Sequence, residues 1–255
     1  MQAIPKAVLA LGVMVAAVSG GESESEVWLK RAKELRLWPA AVEEFSFRVI
    51  LAPSEEVLAA RARKLGVEAK ALREALRAVD LDGVARSGFQ WIQLPREDPP
   101  DPLLKAASDW TEEAAKEISG LLDPQGVLEY LGKVTIEAGG EDLHMDLGDG
   151  IEVAGTVTLT ACNAKGEHAS WQYDDDEQQG GKPTLLFRMD MQLKTRRCRV
   201  LIHYRKDPKV GPLPTQFVVQ VLPPGSKENS QETLYTLTYD SFCFPSLVSS
   251  CAPGR

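Results

Sequence analysis

Between Thr184 and Tyr204 the chain reads TLLFRMDMQLKTRRCRVLIHY, and apolar side chains recur at every second position. Leu185, Phe187, Met189, Met191 and Leu193 fall on one side, against Leu186, Arg188, Asp190, Gln192 and Lys194 on the other. After Thr195-Arg196-Arg197 the alternation resumes, with Cys198, Val200, Ile202 and Tyr204 opposite Arg197, Arg199, Leu201, His203 and Arg205. A period of two over this length predicts two strands with one buried and one largely wet face, most simply an antiparallel hairpin.

The same period runs through the C-terminal half. It predicts strands over 133–138, 142–147, 151–162, 168–173, 184–193, 197–206, 214–222 and 232–239. Turn signals separate them at Gly139-Gly140, Gly148-Asp149-Gly150, Gly180-Gly181, Asp207-Pro208 and Pro223-Pro224-Gly225. Short strands without intervening helices read as a sandwich, an open barrel or a bent sheet.

Upstream the period is helical. A helix capped by Ser23 or Ser25 is expected to end at Pro39, and further helices over 54–65 and 68–79 flank Leu65-Gly66-Val67. Phe45 to Leu51 fits either a short strand or a buried helical turn. A helix over 103–122 carries Leu104, Ala107, Trp110, Ala114, Ile118 and Leu121 on one stripe, and a short helix follows from Asp123-Pro124 to Gly132. The fold class is therefore α+β, a helical N-terminal half followed by an antiparallel β domain. Its expected divisions are a leader over 1–20, a helical region over 21–94, a Pro-rich linker over 95–102, connecting helices over 103–131 and the β domain over 132–255.

The pair LAARARKLGVEAKALREAL resembles the first two helices of a helix-turn-helix, with Ala62 at the close contact, Gly66 in the turn, and Leu72 and Leu76 inside. The helix-LGV-helix pattern is also similar to the helical halves of COMM-domain proteins, whose closing helix has no counterpart here. In an acidic chain this resemblance implies tight helical packing rather than DNA reading.

Net charge is −8 over 255 residues and neither half is basic, which excludes a chain whose main work is coating nucleic acid. Lys6, the apolar run Ala7–Val18 and small residues at Ala17, Ser19 and Gly20 predict a secretory signal peptide over residues 1–20. The alternative is a membrane anchor or an organellar leader at residues 7–18; once the leader is removed, no stable membrane span is expected. Four cysteines in an exported chain favour two disulfides, expected as Cys243–Cys251 and Cys162–Cys198.

Three surface clusters carry candidate chemistry. Asp142, His144 and Asp146 share one strand face, where two carboxylates and an imidazole fit a divalent metal; the same alternation also describes a solvated face. Asp174-Asp175-Asp176-Glu177 forms an acidic loop without the spacing of a calcium-binding hand. The most specific feature is the basic row of Arg197, Arg199, His203 and Arg205, with Arg188 on the neighbouring strand and Leu201 in its midst. Guanidinium groups projecting from one sheet face suit a carboxylate, sulfate or phosphate, unless Asp190 or the acidic loop neutralises them.

No Gly-x-Ser-x-Gly elbow, phosphate-binding loop, His-Glu-x-x-His helix or dinucleotide fingerprint is present. The expectation is an exported, non-enzymatic binding protein, without a cofactor, whose β domain docks an anionic ligand or an acidic protein partner through the arginine face. The rivals are a metal-dependent enzyme of unrecognised family built on Asp142, His144 and Asp146, and an accessory subunit of a membrane-bound or organellar assembly.

Overall fold

A computed structural model describes residues 44–86, 91–93, 99–132, 134–141, 145–146, 152–153, 156–176, 182–194, 197–208, 211–222 and 232–244. The expected leader, the helix before Pro39 and the first half of the Pro-rich linker (95–98) lie outside these residues. The described chain begins with a strand. β1 (Glu44–Pro53) leads into α1 (Glu55–Leu65), α2 (Ala69–Ala78), β2 (Asp82–Arg86) and β3 (Trp91–Gln93). Two helices follow, α3 (Pro102–Leu122) and α4 (Pro124–Leu131). The remaining strands are β4 (Val134–Glu141), β5 (Met145–Asp146), β6 (Glu152–Val153), β7 (Thr156–Asn163), β8 (His168–Asp176), β9 (Lys182–Gln192), β10 (Arg197–Asp207), β11 (Gly211–Leu222) and β12 (Glu232–Cys243).

Ten of these strands form one sheet in the order β3-β2-β1-β12-β11-β10-β9-β8-β7-β4, and each neighbouring pair is antiparallel. β5 and β6 pair separately. The architecture is mixed α+β, as the two periods require. The N-terminal half is not helical throughout, because β1, β2 and β3 belong to the same sheet as the C-terminal strands. Phe45–Leu51 resolves as a strand: Phe47, Val49 and Leu51 alternate inward, and β12 supplies the partner that a short apolar run needs.

One face of the sheet carries the core. Leu159, Trp171, Met189, Val200, Val219 and Tyr235 lie on a continuous register row from β7 to β12, all buried. The helices pack on this face, where the Tyr235 hydroxyl donates to Glu117 Oε2 of α3 at 3.0 Å. Small side chains at Ala107, Ser108, Thr111, Ala114 and Ala115 bury a broad face of α3, wider than the expected stripe. Leu104 and Leu121 are only half-buried at its edges.

Local chemistry sets the helix ends. The Ser54 hydroxyl accepts from Val57 N at 3.4 Å, with Glu55 and Glu56 in the positive first turn and Arg63 and Lys64 in the last. Gly66 closes α1 with φ of 68°, a left-handed conformation that suits glycine, while Val67 N donates to Ala62 O at 3.1 Å. Asp101 caps α3 by accepting from Leu103 N at 2.9 Å, with Pro102 at the first position where no N–H is needed.

Asn163 ties the β7–β8 turn to the helices. Its amide nitrogen donates to Leu131 O at 3.2 Å and to Glu167 Oε2 at 3.0 Å, and its oxygen accepts from the Lys165 and Glu167 backbone N–H groups. The Asn163 amide beside Glu167 holds that carboxyl below its usual range.

Burial raises the phenol pKa values of Tyr173, Tyr204 and Tyr239, and Tyr173 adds to the effect at Tyr204. The unfolded chain ionises its tyrosines near about pH 10, whereas the fold retains these protons. The contribution to stability is therefore complete below about pH 10 and declines as the pH rises further. In a spectrophotometric titration three of the five tyrosines should ionise only as the protein unfolds. Five ordinary titrations with the fold intact would contradict this packing. Leu237, with 0% exposure, provides an independent check: Leu237→Ala should cost about 2–5 kcal/mol in denaturant unfolding.

Candidate functional site

The face opposite the helices is polar. One row runs Thr160, Ser170, Asp190, Arg199 and Gln220 across β7 to β11, and the next places Arg188 beside Leu201 and Val218. The period of two brings Arg188, Arg197, Arg199 and His203 onto this face, but their environments differ.

Asp190 sits between two arginines. Arg188 donates through Nε and Nη2 to Asp190 Oδ2, both at 2.6 Å, and Arg199 Nε donates to Oδ1 at 2.7 Å. The side chains of Asp190 and Arg199 are 8% and 6% exposed, against 21% for Arg188. Arg199 is thus a buried member of an ion cluster rather than an exposed contact. Two guanidinium groups thus share the Asp190 carboxylate.

The accessible part of the row lies to either side. Arg197 and His203 are half-buried and Arg205 is exposed. The Arg205 guanidinium stands 5.9 Å from the centroid of the Phe242 ring. A bulge places Arg205 beyond the regular rows: His203 pairs with Gln216 but Tyr204 with Pro214, so Thr215 is the extra residue. Leu201 and Val218 are directly cross-strand and half-buried, giving the face an apolar centre. The side-chain oxygens of Gln172 and Gln220, in register with Arg188 and Arg199, are buried without a hydrogen-bond partner.

The expected Cys162–Cys198 bridge is not formed, and both residues are thiols. Cys162 belongs to the polar face, in register with His168, whereas Cys198 faces the helices beside Met191. They also lie three strands apart, roughly 14 Å at the usual spacing, whereas a disulfide requires Cα atoms within about 7 Å. Cys243 ends β12, and its expected partner Cys251 lies outside the described residues. Asp142 and His144 lie outside them as well, and Asp146 belongs to β5. Among the described residues no group of three His, Cys, Asp or Glu side chains could hold a metal. The acidic stretch Asp174–Asp176 ends β8, and Glu177 is outside the described residues. No described helix is long and apolar enough to cross a membrane.

A second feature escaped the sequence reading. A cavity of about 310 Å³ opens between α3, α4 and β9, lined by Leu121, Val127, Tyr130, Met191 and Leu193 among others. Gly120 also lines it, and nothing lies within 4 Å of where its Cβ would stand. The available signal was Tyr130, a large ring at 67% exposure, but its meaning depends on the neighbouring strand.

Removing the shared carboxylate takes a charged partner from the buried Arg199 guanidinium. Asp190→Ala should cost about 3–5 kcal/mol in chemical denaturation, whereas Arg205→Ala should remain within about 1 kcal/mol. Equal effects would mean that the cluster is not buried as described. Under native conditions alkylation should label Cys162 readily, and it should label Cys198 only after unfolding. Rapid labelling of Cys198 in the folded protein would place it outside the core.

No family model, no curated protein and no solved structure matches the chain.

Proposed function

We propose that this protein is a non-enzymatic, exported binding module whose sheet docks an anionic ligand or acidic protein partner through Arg188, Arg197, Arg199, His203 and Arg205. In this reading the sheet is bent around α3, residues 1–20 direct export, and Cys243–Cys251 closes the C-terminal segment. The observation that carries it is the cluster around Asp190, where two guanidiniums share one carboxylate on the face that also presents Arg197, His203 and the exposed Arg205. Leu201 and Val218 lie beside that cluster as an apolar strip.

The five basic residues do not share one role. Arg199, held against Asp190, sets the local field and orients its neighbours. Arg188 is partly exposed and can offer an edge to a ligand. Arg197, His203 and Arg205 form the accessible contacts. Oxygen anions suit such a surface because a guanidinium presents several N–H donors in one plane.

A labelled glutamate-rich peptide is the direct probe. Arg197→Glu combined with Arg205→Glu should weaken its binding by about tenfold or more and flatten the dependence on salt, since exposed charge pairs are screened over about 10 Å at 0.1 M. Thermal unfolding should remain close to that of the unaltered protein. Full peptide binding by a folded double variant would refute this role for the row.

A further inference from the structure

Gly120 is a residue of α3 that neither conformation nor packing explains. Its backbone is not left-handed, and a Cβ there would meet nothing within 4 Å. Glycine is among the poorest helix formers, so its place in the last turn of α3 costs stability without a backbone reason. What it provides is space, because Gly120 lines the cavity of about 310 Å³ between α3, α4 and β9. Val127 and Met191 form the buried floor of that cavity, and the half-buried Leu121 and Leu193 form its sides.

The charged groups around it already have partners. Lys116 Nζ donates to Glu112 Oε1 along α3, and Glu117 Oε2 accepts from the Tyr235 hydroxyl. Tyr130 stands at the rim with 67% exposure, and a phenol hydroxyl can both donate and accept a hydrogen bond. A charged ligand would give up its hydration for walls of Leu, Val and Met side chains, whereas an apolar one gains by the transfer. We propose that this cavity binds one small, uncharged, mostly apolar molecule whose single hydroxyl reaches Tyr130. Volume sets the size: a dry cavity of about 150 Å³ encloses benzene, so one about twice as large suits roughly eight to twelve carbons. Met191 faces the helices, so the site lies across the sheet from the arginine row and does not depend on it.

The test titrates the full chain with N-phenylnaphthylamine, an uncharged fluorophore that brightens in apolar surroundings. A saturable one-to-one signal is expected, displaced by octanol at least about tenfold more readily than by octanoate at neutral pH, because the carboxylate resists desolvation. Gly120→Leu should remain folded by circular dichroism and weaken the probe by about tenfold or more, since the added side chain occupies the space. Gly120→Ala, which fills less of it, should fall between the two and serves if the larger variant does not fold. Absence of a saturable signal would overturn the site. Unchanged binding by folded Gly120→Leu, or by Gly120→Ala where that variant stands in, would place the probe elsewhere and overturn it as well. Displacement by octanoate as readily as by octanol would overturn the assignment of an uncharged ligand.

Discussion

The pairing of β12 with β1 is the constraint on which the rest of the structure depends. It joins the last described strand to the first, across nearly the whole described chain. Closing so long a loop has an entropic cost, although that cost grows only slowly with length. The offsetting burial is visible at the seam: Phe47, Val49, Leu51, Leu237 and Tyr239 are almost fully inside, and Phe47 stacks on Tyr239 with ring centroids 4.5 Å apart. Once β1 lies inside the sheet, α1 follows directly from its end, and α1, α2 and α3 are drawn onto one face. Glu117 of α3 then meets Tyr235 of β12. The opposite face is left to polar side chains.

That division explains the contrast between charge present and charge available. Arg188, Arg197, Arg199 and Arg205 are equivalent in composition, yet Arg199 lies in a dry pair with Asp190 and Arg205 lies over an aromatic ring at the sheet's end. In a low dielectric the paired charges hold one another strongly and resist separation. The cluster therefore sets geometry and local field, while exchangeable contacts fall to the more exposed members of the row. Several register irregularities divide the surface further, among them these. β11 carries its extra residue at Thr215, and β12 has one near Ser241, whose φ of 53° is unusual for a non-glycine residue.

The strands with a strong period of two were legible before any coordinate. Arg197–Asp207 begins where the alternation resumes after Thr195-Arg196, and α3 (Pro102–Leu122) takes up the helix expected over 103–122 from its apolar stripe. β2 was not legible, since Asp82-Gly83-Val84-Ala85-Arg86 has no useful alternation and is a strand because β1 offers it an edge. The side-chain work of Asn163 was equally hidden: one amide satisfies groups in its own turn and in α4, and only the fold brings Leu131 beside it.

By itself, the sequence determined the two periods, the helix caps, the turn glycine at 66, and the sidedness that places Arg188, Asp190 and Arg199 opposite the apolar core. These properties are local, fixed by backbone geometry and by neighbours within a few residues. Only the tertiary structure decided that Asp190 is shared by two arginines and that a cavity opens between α3, α4 and β9. It also placed Cys162 and Cys198 on opposite faces of the sheet. Those outcomes depend on strand order and register, which are set by contacts between residues far apart in the chain. Alternation assigns a side chain to a face; the neighbouring strand determines what it meets there.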